Sequence, residues 1–598
     1  MGNYKKEKRQ TKIQNNCVEI NPINWHSFLK KKKFMSALSS KVYRNLVSGF
    51  LPANQEYLYN FENDTVEKKE LLFSKKIYYY SVNFFSNILN LSILPFAISL
   101  SSLIDLKDKA VNRFYPKSDP KPNSISEEEL FMKLSENIHQ FGFSDSLFQS
   151  CGLGTKFSKP AFKGVCDWDA WVTNPQNHIE GKKEDIQSSF RNYLDNPATL
   201  IKILNDMNVT AYRFSLEWSV IQPSKNEYDP IAIEKYKHFC KSLKEAGIEP
   251  WVTLNHFVLP KWFADNGGFN NDENISCFVK YAETIIPLFD KHVTTWMTFN
   301  EPGIDGFQRE IRKMYPGGKG GISASIKDLR NILIAHYAVY KKIKKISPNS
   351  KIGITHQWLK FIPANSYNPI ERIVSYALSL ITHYSVLNTL KTGSLKIPFL
   401  CNFKIWEDKK PPIDFIGVQS YGYPVLKVGF GSGKEPGVLT KYKIPLTKYF
   451  FVAGATCKEE GGKVSSLGPP FCPDDLEESL EEAKELNVPI AITETGCDAK
   501  IQAWGEKDVK LDEKTQKEYF EKIFIILTRF KLTGMFIWTL FKNQLEWENG
   551  TRKMSMGLIT DIKDHKSGEI KRSELSSVAE YIQRVFQNIL KVRKEKVA

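Results

Sequence analysis

Val293-Thr294-Thr295-Trp296-Met297-Thr298-Phe299 is a short apolar, β-branched and aromatic run that stops abruptly at Asn300-Glu301-Pro302. Such a run reads as a buried strand. Proline cannot donate to a sheet ladder and disfavours a helical backbone in the residue before it. Glu301 is therefore expected on an extended backbone just past a strand end, where a barrel or open sheet keeps its chemistry. A second run, Val488-Pro489-Ile490-Ala491-Ile492-Thr493-Glu494-Thr495-Gly496, has the same design and also closes on a glutamate. Either acid alone is as readily a surface loop residue. Two at strand ends point to a carboxylate pair for acid/base and nucleophilic work.

Working outward, apolar or aromatic runs recur at 147–157, 209–218, 248–257, 293–300, 351–358, 413–421, 488–494 and 534–541, the first of them weak. Helix-like stretches such as 231–246, 475–486 and 513–530 alternate with them. Near-continuous apolar strands alternating with helices imply a parallel sheet covered on both faces. Eight such units suit an α/β fold of the (β/α)8, or TIM, barrel kind. A doubly wound open sheet is the alternative, but Gly152-Leu153-Gly154 lacks the third glycine and the helix of a phosphate loop. Polar residues gather at the expected C-terminal strand ends: Arg213 and Glu217, Asn255 and His256, Asn300 and Glu301, Gln419 and Tyr421, Glu494, then Trp538, Glu546 and Trp547. In a barrel these converge on one rim. Two glutamates among indole faces and hydrogen-bonding side chains describe a sugar site.

Composition narrows the class. The chain has 598 residues, 42% hydrophobic and 13% aromatic, enough for a large core. Its formal charge of +16 is partly concentrated at the ends and accompanies no nucleic-acid-binding motif, so no nucleic-acid partner is expected. Nine cysteines form no CxxC pair, and ten histidines show no HExxH spacing. Neither a disulfide framework nor a metal is expected, nor any other cofactor, and a reducing, cytoplasmic compartment fits. Residues 1–115 read as a basic, mainly helical, partly hydrophobic N-terminal extension. Within it, 77–104 carries no charge and is long enough for a bilayer span, though its asparagines and Pro95 weaken that reading. Interfacial or partner binding and packing on the main domain are equal alternatives, so membrane association stays open. A proline-rich linker and first helix follow at 116–135, with Ser126 and Glu129 at capping-box spacing. Residues 136–590 form the expected catalytic domain.

The stretches AYRFSLEWSVIQP, GIEPWVTLNHFVLPKWF with GGF, WMTFNEP, IAHYAV, DFIGVQSYGY, PIAITETG and GMFIWTLFKNQLEWENG occur in the order found in glycoside hydrolase family 1. From about 140 to 590 the chain resembles that retaining β-glucosidase family. The resemblance implies a glycoside hydrolase acting on β-linked O-glycosides of the β-glucoside or β-galactoside type. It makes Glu301 the general acid/base and Glu494 the nucleophile, with carboxyl groups about 5–5.5 Å apart. It also makes Arg213 and Tyr421 contacts of the nucleophile and Asn300 the partner of the sugar 2-hydroxyl. His256, Glu546 and Trp547 become contacts of glycone hydroxyls, and Trp538 the platform under the ring.

Departures from the family pattern centre on the glycone pocket. The alignment GLGTKFSK sets Lys159 where the family has a glycone-binding Gln. Phe257 replaces a usual Trp, Gln419 an Asn and Thr495 the Asn after the nucleophile, and Lys542 lies near an expected Asp. Lys159 raises a 6-phospho-β-glycosidase as an alternative, against which Glu546 would repel a phosphate. A catalytically impaired barrel that binds carbohydrate or a partner is the alternative from another class. The presence of both glutamates argues against it.

Overall fold

The computed structural model describes residues 55–70 and 125–597, apart from 157–161, 175–190, 364, 366, 399, 431–449, 454–462, 466–471, 499, 504–509, 542–544, 547–551, 554–555 and 564–569. These residues belong to one compact unit, Leu51–Tyr79 with Asp119–Ala598. The uncharged stretch 77–104 lies outside the described residues. None of the described helices is long and apolar enough to cross a membrane.

Eight parallel strands close a barrel. They are β1 (Ile138–Ser144), β2 (Ala211–Ser215), β3 (Glu249–Asn255), β4 (Thr295–Asn300), β5 (Lys351–Gln357), β6 (Phe415–Ser420), β7 (Ile490–Thr495) and β8 (Leu532–Ile537). Pairing of β8 with β1 excludes the open sheet: Gly534 lies opposite Gln140, and Ile537 opposite Phe143.

Seven strands fall within or overlap the expected runs; β1 does not. The run at 147–157 was expected to supply it, but Leu147–Cys151 is a short helix and the strand lies earlier. Its face toward the barrel axis carries Gln140, Gly142 and Ser144, so it never forms an apolar run. Gln140 accepts a hydrogen bond from Trp251 Nε1 at 2.6 Å. A Cβ at Gly142 would lie 1.8 Å from the Ala211 carbonyl oxygen, so only glycine fits there.

The barrel floor is filled rather than hollow. Ala211, Trp251, Met297, Phe415, Ala491 and Phe536 form one buried cluster. Trp251 meets Phe536 and Phe415 at centroid distances of 4.9 and 5.3 Å, tilted and edge-on. With the floor packed, any ligand must enter from the opposite rim.

The outer helices follow sequence logic. Pro230–Glu245 starts at Asp229, whose carboxylate accepts from the Ile231 and Ala232 N–H groups. Asp474–Ala483 and Glu513–Leu527 match the other expected helices. Glu127–Asn137 starts at Ser126, whose Oγ accepts from the Glu129 N–H at 3.1 Å.

The N-terminal extension differs from a mainly helical segment in the part described. Gln55–Asn60 and Thr65–Glu70 form an antiparallel hairpin that adds to Cys401–Lys404 and Ser394–Ile397 as a four-stranded sheet outside the barrel. Tyr57 and Tyr59 are buried at a spacing of two, the period of a strand. Asn60 Oδ1 accepts from the Glu62 and Asn63 N–H groups and fixes the turn. The Arg330 guanidinium lies 3.9 Å over the Tyr57 ring, and Lys342 Nζ bonds Asp64 at 2.5 Å. This hairpin, inside the expected N-terminal extension, belongs to the same compact unit as the barrel.

Candidate active site

Each acid-bearing strand breaks strict alternation just before its candidate residue, Asn300 on β4 and Glu494 on β7. On β4, Met297 belongs to the barrel floor. Thr298 Oγ1 bonds His336 Nδ1 at 2.7 Å, and Phe299 stacks on Phe278 at 4.4 Å, so both face the helix layer. The register against β5 slips between Met297 and Asn300, which brings Asn300 back inside. On β7 the register against β6 passes from Val418–Ile492 to Gln419–Glu494, skipping Thr493. Ala491 and Glu494 thus both face inward although three residues apart. A period of two would send the third residue outward; a bulge re-aims it.

Glu301 follows Asn300 at the strand end, is 4% exposed, and begins the short helix Pro302–Gly306. Its backbone is left-handed, φ 46° and ψ 61°, not extended as expected. A following proline disfavours the right-handed helical region but leaves this one open. For a residue with a Cβ the conformation costs about 1–2 kcal/mol. Neighbours hold it there: the Glu301 N–H donates to the Thr355 carbonyl at 3.0 Å, and its own carbonyl accepts from Ile304 and Asp305. Beyond the turn, Arg309 pairs with Asp167 at 2.9 Å and Asp305 at 3.2 Å, and donates to the Phe257 carbonyl at 2.8 Å. Phe257 is itself left-handed, at φ 67°.

Glu494 is buried between two donors. Arg213 Nη1 donates to its Oε1 at 2.5 Å and Tyr421 Oη to its Oε2 at 2.5 Å. Burial pushes its carboxyl above the usual 4.5, while the Arg213 charge and the Tyr421 hydrogen bond pull it back toward the ionised form. Arg213 also donates to Ser144 Oγ at 2.7 Å and, through Nη2, to Asn300 Oδ1 at 2.7 Å. One guanidinium thus ties β1, β2, β4 and β7 together.

His256 stacks on Trp538 at a centroid distance of 5.9 Å. Burial, reinforced by the Arg213 charge, holds its pKa well below 6.5 and keeps the ring neutral. Trp538 packs with Met556 and the half-buried Tyr421. Gly496 makes this approach feasible, since a Cβ there would lie 2.1 Å from the Trp538 carbonyl oxygen. The structure therefore gathers Arg213, Asn300, Tyr421 and Glu494 in one hydrogen-bonded set, with Glu301 adjacent in sequence to Asn300. Glu546 lies in the two-residue strand Leu545–Glu546, of which only the backbone is described. Trp547, Lys159 and Lys542 lie outside the described residues.

One rim residue was missed from sequence. Gln149 sits on Leu147–Cys151 directly after β1 and is 7% exposed. Glu217 holds this turn, with its Oε1 accepting from the Phe148 N–H at 3.1 Å and Ser215 Oγ at 2.6 Å. Placing β1 at 138–144 shifts the strand-end glutamine from the position given to Lys159 to Gln149. The available signal was Phe141-Gly142-Phe143, a short aromatic run whose inward face is merely small. Of the other departures, Thr495 Oγ1 bonds the Ser420 carbonyl at 3.1 Å and Tyr519 Oη at 2.9 Å, while Gln419 joins Asn300.

The profile of glycosyl hydrolase family 1 matches residues 156–389. Beta-glucosidase A of Acetivibrio thermocellus is 24% identical over 408 residues, covering 65% of this chain and 86% of that protein. The 6-phospho-beta-galactosidase of Clostridium acetobutylicum is 25% identical, covering 69% and 90%.

Over residues 156–389 the chain is similar to glycosyl hydrolase family 1.

The fold agrees with that of solved beta-glucosidases. A psychrophilic beta-glucosidase from Micrococcus antarcticus superposes with a TM-score of 0.62 at 20% identity, covering 77% of this chain and 98% of the other. At that identity the likeness speaks to the barrel alone.

Proposed function

We propose that this chain hydrolyses β-linked O-glycosides of the β-glucoside or β-galactoside type by double displacement with retention. The observation that carries the reading is the pair of donors on Glu494, Arg213 and Tyr421, together with Asn300 in the same set and Glu301 next in sequence. A Glu494 oxygen attacks the anomeric carbon as the bond to the leaving oxygen breaks. Glu301 gives its proton to that oxygen, and the aglycone departs as an alcohol. Glu301, now a carboxylate, takes a proton from water, whose oxygen displaces Glu494 from the glycosyl-enzyme and releases the sugar with its original anomeric configuration.

In this reading Arg213 and Tyr421 keep Glu494 ionised for attack, and Asn300 binds the 2-hydroxyl. Trp538 stacks under the sugar, and His256 contacts its hydroxyls as a neutral ring. Gln149, Glu546 and Trp547 complete the glycone contacts, with Gln149 in place of Lys159. That exchange removes the main sequence argument for a 6-phosphorylated substrate. In the same reading residues 136–590 form the catalytic domain, the location is cytoplasmic, and 77–104 is the segment through which membrane association would occur. Cell fractionation with and without that segment tests the last point.

The deciding experiment is a panel of aryl glycosides, α and β, plain and 6-phosphorylated, with the first-formed product anomer read by NMR. Turnover of plain β-glycosides to the β product is expected, abolished in Glu494→Gln. Turnover of the phosphorylated set alone would reassign the substrate, and no turnover at all would favour a carbohydrate-binding barrel.

A further inference from the structure

Asn300 Oδ1 accepts three hydrogen bonds: from Arg213 Nη2 at 2.7 Å, Gln419 Nε2 at 2.9 Å and Thr355 Oγ1 at 3.0 Å. A carbonyl oxygen has two lone pairs, so this one is saturated. Guanidinium is a donor only, so turning the Asn300 amide over would set N–H against N–H. The side chain is therefore locked, and its Nδ2 has no hydrogen-bond partner among the described residues.

Gln419 supplies the third donor from two strands away. Asn300 is on β4 and Gln419 on β6, and the amide reaches past Thr355 on β5. The register break against β7 falls at Gln419. Its own Oε1 is buried with no partner, although the side chain is fully enclosed. A residue chosen for stability would not leave that oxygen unpaired. Asparagine, one bond or about 1.5 Å shorter, would not reach Asn300 from the same backbone.

We propose that Gln419 is a positioning residue that locks the Asn300 amide with its N–H₂ presented to the sugar, making the site demand a hydrogen-bond acceptor at C2 of the glycone. The inference rests on the reading of Asn300 as the 2-hydroxyl contact. It adds a substrate rule: a sugar whose C2 substituent is only a donor, such as a protonated 2-amino group, is turned over no better than a 2-deoxy sugar.

The test compares kcat/KM for an aryl β-glucoside and its 2-deoxy analogue in the full chain, Gln419→Met, Asn300→Ala and the double variant. Gln419→Met is expected to lose about tenfold on the glucoside and less than about twofold on the 2-deoxy analogue, with no loss of thermal stability. In the Asn300→Ala background the same change should add nothing. Equal losses on both sugars, or full additivity with Asn300→Ala, would overturn the role of Gln419. If Asn300→Ala itself affects both sugars equally, the 2-hydroxyl assignment falls and takes the inference with it. Circular dichroism of each variant separates these outcomes from misfolding.

Discussion

Tyr421 donates to Glu494 Oε2 at 2.5 Å, and that bond favours the charged carboxylate. Tyr421→Phe removes it without removing the ring that packs beside Trp538. Glu494 already lies above its ordinary value through burial, so the lost bond raises it further. On the proposal that Glu494 is the nucleophile and must be ionised, activity is lost from the acid side as pH falls through that pKa. The acid limb of kcat/KM is expected to move up by about one pH unit, the equivalent of one hydrogen bond; a pH–rate profile checks it. Glu301 calls for a different experiment, because its assigned task is proton delivery. Glu301→Ala should cripple glycosides with poor leaving groups, yet regain part of its rate with azide on activated ones. No regain with azide would count against the assignment.

The elements that hold these residues are less regular than their sequences. β4 and β7 both read as plain apolar strands, yet each contains a slip that turns Asn300 or Glu494 inward. The short helix after Glu301 depends on a buried ion-pair set in which Arg309 bridges Asp167 and Asp305. Burial has already pushed Asp167 to about 6, although Arg309 opposes the shift. Arg309→Met fills comparable volume but leaves two carboxyl groups buried without their cation. A loss of about 3–5 kcal/mol is expected, measurable by urea unfolding, with activity falling as the turn bearing Glu301 loosens. Little change in stability would overturn the structural role given to this cation.

Across the whole molecule, several buried acids give stability a pH dependence opposite to that of salt-bridged carboxylates. Burial raises Asp145 to about 6 from 3.8 and Glu217 to about 7 from 4.5. A raised carboxyl binds its proton more tightly folded than unfolded. Its contribution is therefore full below the unfolded value and is lost as pH rises through the folded one. These two acids therefore favour pH 5 over pH 8, while the buried neutral rings of His256, His336, His356 and His383 favour pH 8. Glu217→Gln, which keeps an acceptor for Phe148 and Ser215, should move the stability difference between pH 5 and pH 8 in favour of pH 8 by on the order of 3 kcal/mol. Urea titrations at both pH values measure it. A difference unchanged by Glu217→Gln would show that this acid stays charged.

Residue order alone carried much of this architecture. The strands of WMTFNEP and PIAITETG, their terminal glutamates and the alternation with helices are legible because a buried parallel strand must be apolar on both faces. β1 was not, because its axial face of Gln140, Gly142 and Ser144 answers to packing against Trp251 and Ala211 rather than to any local period. The hairpin Gln55–Glu70 escaped for a related reason: its partner Cys401–Lys404 lies more than 300 residues away. Chemical type, two carboxylates with a cation and amides, was therefore set by sequence. Which of those groups face one another was decided by closure and by two bulges, since a one-residue slip reverses every side chain on a strand and no local pattern records it.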